Sequence, residues 1–172
     1  MLKKRTVLAI LGLALSIAAV PSAFADEAGS DVLDKPAAQV SHSAWKESTA
    51  LLKSQLETLR AEQKSLVTQI QGLHASSTST RKELTKEEKA VLKASLRELD
   101  QQIKAQHTSI ASLRTQKQAL WAQVKAAKKA GDASSGVSAL EQIISLKEQI
   151  IQAKQAILAL QQSLQVTLTS GQ

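Results

Sequence analysis

The chain has no cysteine and no tyrosine, and only one phenylalanine, two tryptophans, two prolines and six glycines in 172 residues. Without cysteine there is no disulfide framework, no thiolate metal site and no redox-dependent folding. With aromatics at 2% there is no Tyr/Phe-rich recognition surface and no platform for stacking nucleic-acid bases. Gly-rich phosphate loops and Gly-x-Ser-x-Gly elbows are also missing, so the two commonest short signatures of phosphate and acyl chemistry are excluded. What the chain has instead is 43% hydrophobic residues and a surplus of Lys and Arg over Asp and Glu.

Residues 1–25 combine a cationic start (Lys3, Lys4, Arg5), an apolar run from Val7 to Val20 and the small-x-small triplet Ala23-Phe24-Ala25. That three-part pattern predicts a secretory signal peptide cut after Ala25. A membrane anchor is the competing reading, but the run falls short of the ~20 residues of a spanning helix, and Pro21 ends it. Lipid anchoring at the cleavage site would need a Cys. The expected product is therefore exported, without a membrane span, to the periplasm or the exterior. Losing three cations lowers the net charge from +7 to +4.

Residues 26–42 hold four acids (Asp26, Glu27, Asp31, Asp34) with Gly29 and Pro36 and no sustained apolar period, which predicts a flexible leader. Beyond Pro36 there is no proline, and Ala, Leu, Gln, Lys and Glu dominate, a composition that favours long helices. Heptads follow. Trp45, Leu52, Leu59, Leu66 and Leu73 interleave with Thr49, Leu56, Gln63 and Ile70; Leu92, Leu99, Gln106, Leu113, Leu120 and Ala127 interleave with Leu96, Ile103, Ile110, Lys117 and Val124. The last segment alternates Ile143, Ile150, Ile157 and Leu164 with Ala139, Leu146, Ala153 and Leu160, and adds a second row of Ile144, Ile151 and Leu158. Two adjacent apolar rows predict a helix with two neighbours.

Thr85 with Glu88, and Ser138 with Glu141, fit capping boxes that start helices at Lys86 and Ala139. The polar runs 75–80 and 131–136 read as connections. The expected architecture is all-α, an elongated antiparallel three-helix coiled coil with helices at about 43–74, 86–130 and 139–168 and a tail at 169–172. The middle helix is expected to be the longest and to carry the other two, with all three overlapping only near its centre. Antiparallel register would bring Trp45 near Lys117 and Trp121, with cation–π contact. The broad face of the third helix offers a surface for a homo-oligomer.

No catalytic, cofactor or metal constellation emerges. His42, His74 and His107 lack partners at ligand spacing, and the carboxylates at 87–100 alternate with Lys and Arg as ordinary i, i+4 pairs. Narrow coiled-coil bundles also offer little pocket, so no enzyme is expected and no cofactor. Charge is uneven: residues 26–100 carry 11 basic and 12 acidic groups, and residues 101–172 carry 8 and 3. Lys125, Lys128 and Lys129 at the end of the second helix complement the helix dipole, and they also form a tip that attracts acidic partners. Candidate partner-binding residues are Lys125, Lys128, Lys129, Lys147 and Lys154, with Ile144, Ile151 and Leu158 beside them.

The segment Leu84-Thr85-Lys86-Glu87-Glu88 resembles the LTxxQ motif of Spy- and CpxP-like envelope proteins, with Glu88 in the place of Gln, and Leu168-Thr169-Ser170-Gly171-Gln172 matches it literally. The resemblance covers about ten residues. It implies a small, exported, all-helical protein of the class of ATP-independent chaperones and stress-sensor partners. The function expected is thus exported, non-catalytic helical binding of protein clients or acidic envelope polymers, not of nucleic acid. The alternative is a structural coiled-coil spacer or self-assembling subunit of the cell envelope.

Overall fold

A computed structural model of the protein describes residues 37–170, with side-chain surroundings from Ser43 onward. The expected signal peptide, the leader up to Pro36 and the last two residues lie outside the described residues. Three helices follow in order, α1 (Ala37–Glu83), α2 (Lys86–Ala130) and α3 (Ala133–Thr169). No strand occurs among the described residues. The heptads therefore form the all-α three-helix bundle that their period dictates. At ~1.5 Å per residue the helices run about 70, 68 and 56 Å.

Two connections of two residues each reverse the chain. At the first, Thr85 is the N-cap of α2: its hydroxyl accepts from the Glu88 amide at 3.2 Å, and the Glu88 carboxylate accepts from the Thr85 amide at 2.7 Å. Those two bonds satisfy donors that a helix start leaves free. They also hold the Glu88 carboxyl below its ordinary range, chiefly through the Thr85 backbone and hydroxyl. At the second, Gly131 takes a left-handed conformation at φ 74° and closes α2 by donating to Ala127 and Lys128 carbonyls. Asp132 then caps α3 by accepting from the Ser135 amide at 3.0 Å.

Three boundaries differ from the sequence reading. α1 starts at Ala37, inside the expected leader, and continues to Glu83 through the Ser/Thr run 75–80. That run stays helical because Ser77 is buried against α3 and donates to Gln165, while the Thr78 and Thr80 hydroxyls find acceptors in the His74 and Ser76 carbonyls one turn back. α3 begins at Ala133, capped by Asp132 rather than by Ser138. Four residues of the run read as a connection, 133–136, are helical here because Asp132 supplies the cap earlier.

The order of packing differs as well. α3, not α2, is the central helix: it lies along both α1 and α2, which scarcely approach each other. It buries thirteen residues where α2 buries four; five of them, Leu140, Lys147, Lys154, Gln161 and Leu168, form one row, whereas the expected second row of Ile144, Ile151 and Leu158 contributes Ile151 alone. Contacts along α1 and α3 rise together, from Trp45 against Gly136 through Gln63 against Lys147 to Ser77 against Gln165. α1 and α3 are therefore parallel and matched over most of their lengths, whereas overlap was expected only near the middle.

Three apolar clusters mark the core. One end holds Trp45, Leu56, Val124, Ala127, Ala139, Leu140 and Ile143, with Trp121 packed against it. Ile103, Ile110, Ile150, Ala153 and Ile157 join α2 to α3 in the middle. Leu84, Leu164 and Leu168 close the other end. Trp45 and Trp121 share a cluster as expected, and the edge of the Trp45 ring abuts Gly136, where an added Cβ would overlap Cη2 and Cζ3. Lys117 is half-buried, with the charges of Arg114 and Arg60 acting on it.

Candidate cationic binding site

One heptad row of α3 runs Leu140, Lys147, Lys154, Gln161, Leu168, and every member is buried. Its apolar ends sit in apolar clusters, but its middle is polar. Lys147 and Lys154 are 6% and 7% exposed, so the two lysines expected on an accessible binding face lie within the bundle. The reason is positional: they share the phase of Leu140 and Leu168, which faces the neighbouring helices.

Gln63 of α1 bridges these lysines. Its side-chain amide donates to the Lys147 carbonyl at 3.3 Å, and its own carbonyl accepts from Lys154 Nζ at 3.4 Å. The polar break that interrupts the α1 heptad thus meets the polar break of α3. α2 adds half-buried Lys117, its own break, and exposed Arg114, while α1 adds exposed Arg60.

Five cations from three helices therefore share one level of the bundle. Burial is the main cause that lowers the Lys147 pKa below the ordinary lysine range, followed by the charges of Lys117, Arg60 and Lys154. Lys154 is lowered by burial, then by Arg114 and Lys117, and Lys117 by burial, then by Arg114 and Arg60. No carboxylate pairs with any of them: the one ion pair among the described residues is Arg81 with Asp100 at 2.8 Å. The nearest α1 acid in sequence, Glu62, accepts from Gln155 at 3.4 Å.

Further toward the α1–α2 connection, a cleft of about 320 Å³ draws on all three helices, with His74 and Arg81 from α1, Asp100, Lys104 and His107 from α2, and Gln161 from α3. Within it Arg81 Nε and Gln161 Oε1 have no hydrogen-bond partner, although Gln161 is only 4% exposed. A free donor and a free acceptor lining one cleft suit a polar group or an ordered water. Neither residue carried a sequence signal beyond the heptad phase of Gln161.

The remaining candidates are split. Lys125, Lys128 and Lys129 are exposed at the C-terminal end of α2, as expected of a cationic tip. Ile151 is buried and Ile144 and Leu158 are half-buried, with Ile144 packed against the Trp45 cluster. The second apolar row of α3 therefore serves contacts within the chain. Among the described residues there is no group of three or more His, Asp or Glu placed to hold a metal ion. Nor is any described helix long and apolar enough to cross a membrane.

No protein-family model, curated protein sequence or solved structure matches the chain. The functional reading rests on its own residues.

Proposed function

We propose that the protein is an exported, non-catalytic helical binding protein that holds acidic macromolecules, acting as a chaperone-like or envelope-stress factor. The observation that carries this reading is cationic charge left without carboxylate partners. Lys125, Lys128 and Lys129 stand exposed at one end, Arg60 and Arg114 lie exposed beside the central lysines, and a single ion pair is formed among the described residues. Unpaired surface cations steer acidic partners and raise their rate of encounter, an effect that salt screens. The amino-terminal pattern at 1–25 and the LTxxQ-like segment at 84–88 support export and the envelope class.

The apolar row of α3 is largely used inside the chain, so binding by charge is favoured over binding by the Ile144, Ile151 and Leu158 row. The test is light scattering from an aggregating acidic client, with and without the purified protein, at low and high salt. Suppression near stoichiometric ratios that fades with salt is expected, together with its loss when Lys125, Lys128 and Lys129 are changed to Gln. Absence of suppression at every ratio, combined with concentration-dependent self-association, would replace this reading with the structural spacer.

A further inference from the structure

Buried cations are ordinarily matched by carboxylates, because an unpaired charge removed from water costs several kcal/mol. The central level of this bundle gathers cations from α2 and α3 whose stems are buried and which have no carboxylate partner among the described residues. Lys147 and Lys154 are buried, and Lys117 is half-buried at a heptad core position. Among the described residues the only hydrogen bond made by these three ammonium groups is the long one from Lys154 to the Gln63 carbonyl. An ammonium has three donors, so most of the donor capacity there is left to solvent or to a ligand. Arg60 and Arg114 flank the level from the solvent side of α1 and α2.

We propose that this level, formed by Lys117, Lys147 and Lys154 and flanked by Arg60 and Arg114, is a binding site for a multivalent oxyanion of the phosphate or sulfate class. Each of the three helices contributes at least one cation, so the anion bridges α1, α2 and α3 and acts as the missing counter-charge of this cluster. Lys147 and Lys154 are seven residues apart, a rise of about 10 Å along α3. That separation favours an anion with two or more linked charged groups over a single monovalent ion. Charge-assisted bonds to such oxygens are the stronger class of hydrogen bond. The site shares the exposed Arg60 and Arg114 with the surface charge of the proposed client binding, whereas Lys117, Lys147 and Lys154 belong to it alone.

The test uses the full chain and pyrophosphate. Thermal unfolding followed by helical circular dichroism is measured against pyrophosphate and against sodium chloride at equal ionic strength, with calorimetric titration for affinity. A saturable rise in midpoint with pyrophosphate alone is expected, because a ligand that binds only the folded chain stabilises it. Lys147→Met with Lys154→Met is expected to raise the anion-free midpoint and to weaken pyrophosphate about tenfold or more, ~1.4 kcal/mol. Arg60→Gln with Arg114→Gln, both at exposed positions, provides a second route to the same loss should the core variant fail to fold. Lys125→Gln with Lys128→Gln and Lys129→Gln is expected to leave the pyrophosphate effect intact.

Equal midpoint shifts in pyrophosphate and chloride would reduce the effect to screening and overturn the site. So would undiminished affinity in the central variants. Two further arms separate the sources of the anion. Vesicles carrying phosphatidylglycerol that capture the protein and release it to pyrophosphate would assign the site to a lipid headgroup. Saturable binding of pyrophosphate with no capture would assign it to a free anion.

Discussion

The seam between α1 and α3 is built in two ways along its length. At one end the edge of the Trp45 ring abuts Gly136 amid Val124, Ala127 and Leu140, with shape alone deciding the fit. Near the middle the same two helices meet through Gln63, Lys147 and Lys154, where hydrogen bonds and charge decide it. An indole buries roughly 150–250 Å², and at ~25 cal/mol per Å² that is about 4–6 kcal/mol as an upper bound. The central level offers no comparable apolar gain and carries the desolvation cost of two lysines. Heptad phase therefore decides where the helices touch, but not whether the contact stabilises. The end holds α1 in place, and the middle is kept at a cost that a ligand can offset.

The contrast can be broken most forcefully at the apolar end. Trp45→Ala is expected to lower stability by about 3–5 kcal/mol, read from urea unfolding followed by helical circular dichroism. A loss no larger than that of an ordinary surface substitution would show that the indole is not the anchor. Next in size is Gly136→Ala. On an exposed helix Ala improves on Gly by ~1 kcal/mol, but here the new methyl overlaps the indole, so a net loss of about 1–3 kcal/mol is expected. A gain instead would mean that the ring shifts aside without penalty.

The smallest expected effect sharpens the other side of the comparison. Lys117, Lys147 and Lys154 have pKa values lowered in the fold by burial and neighbouring cations. Between those lowered values and the unfolded value of about 10.4, the unfolded chain binds more protons than the folded one. Stability therefore rises as pH climbs through that window, and the penalty is fully present at lower pH. Unfolding midpoints taken from neutral pH upward without multivalent anions should show the rise, and Lys147→Met with Lys154→Met should flatten it. A profile that is identical in the variant would place the titration elsewhere.

Much of this fold was legible because period is a strong signal. The seams of α1 and α2 were counted correctly, and the Thr85–Glu88 capping box sits where its spacing puts it. What misled was composition taken over phase. The run 75–80 is rich in Ser and Thr, yet the α1 rows continue through it as Ser77 and Leu84, both buried. The burial of that row against α3 holds the segment helical, and the hydroxyls find acceptors one turn back. Lys147 and Lys154 were placed on the surface because lysine is rarely buried, although their row begins and ends in buried leucine. Arg60 and Arg114 could not be linked to them at all, since their convergence depends on which helix is central. Two short connections leave that choice open until side chains are packed.

The chain separation across each seam has a kinetic consequence. α2 and α3 form a hairpin that can zip outward from Gly131, so their contacts are local. The bonds joining α1 to α3 span 84 to 93 residues, and contacts so distant along the chain close late because loop entropy opposes them. α1 is thus expected to dock last and, being held at its middle by polar bonds, to open first in sub-global excursions. Amide hydrogen exchange should report this as faster exchange in the central turns of α1 than in the central turns of α3. The protein then behaves as a durable hairpin carrying one releasable arm.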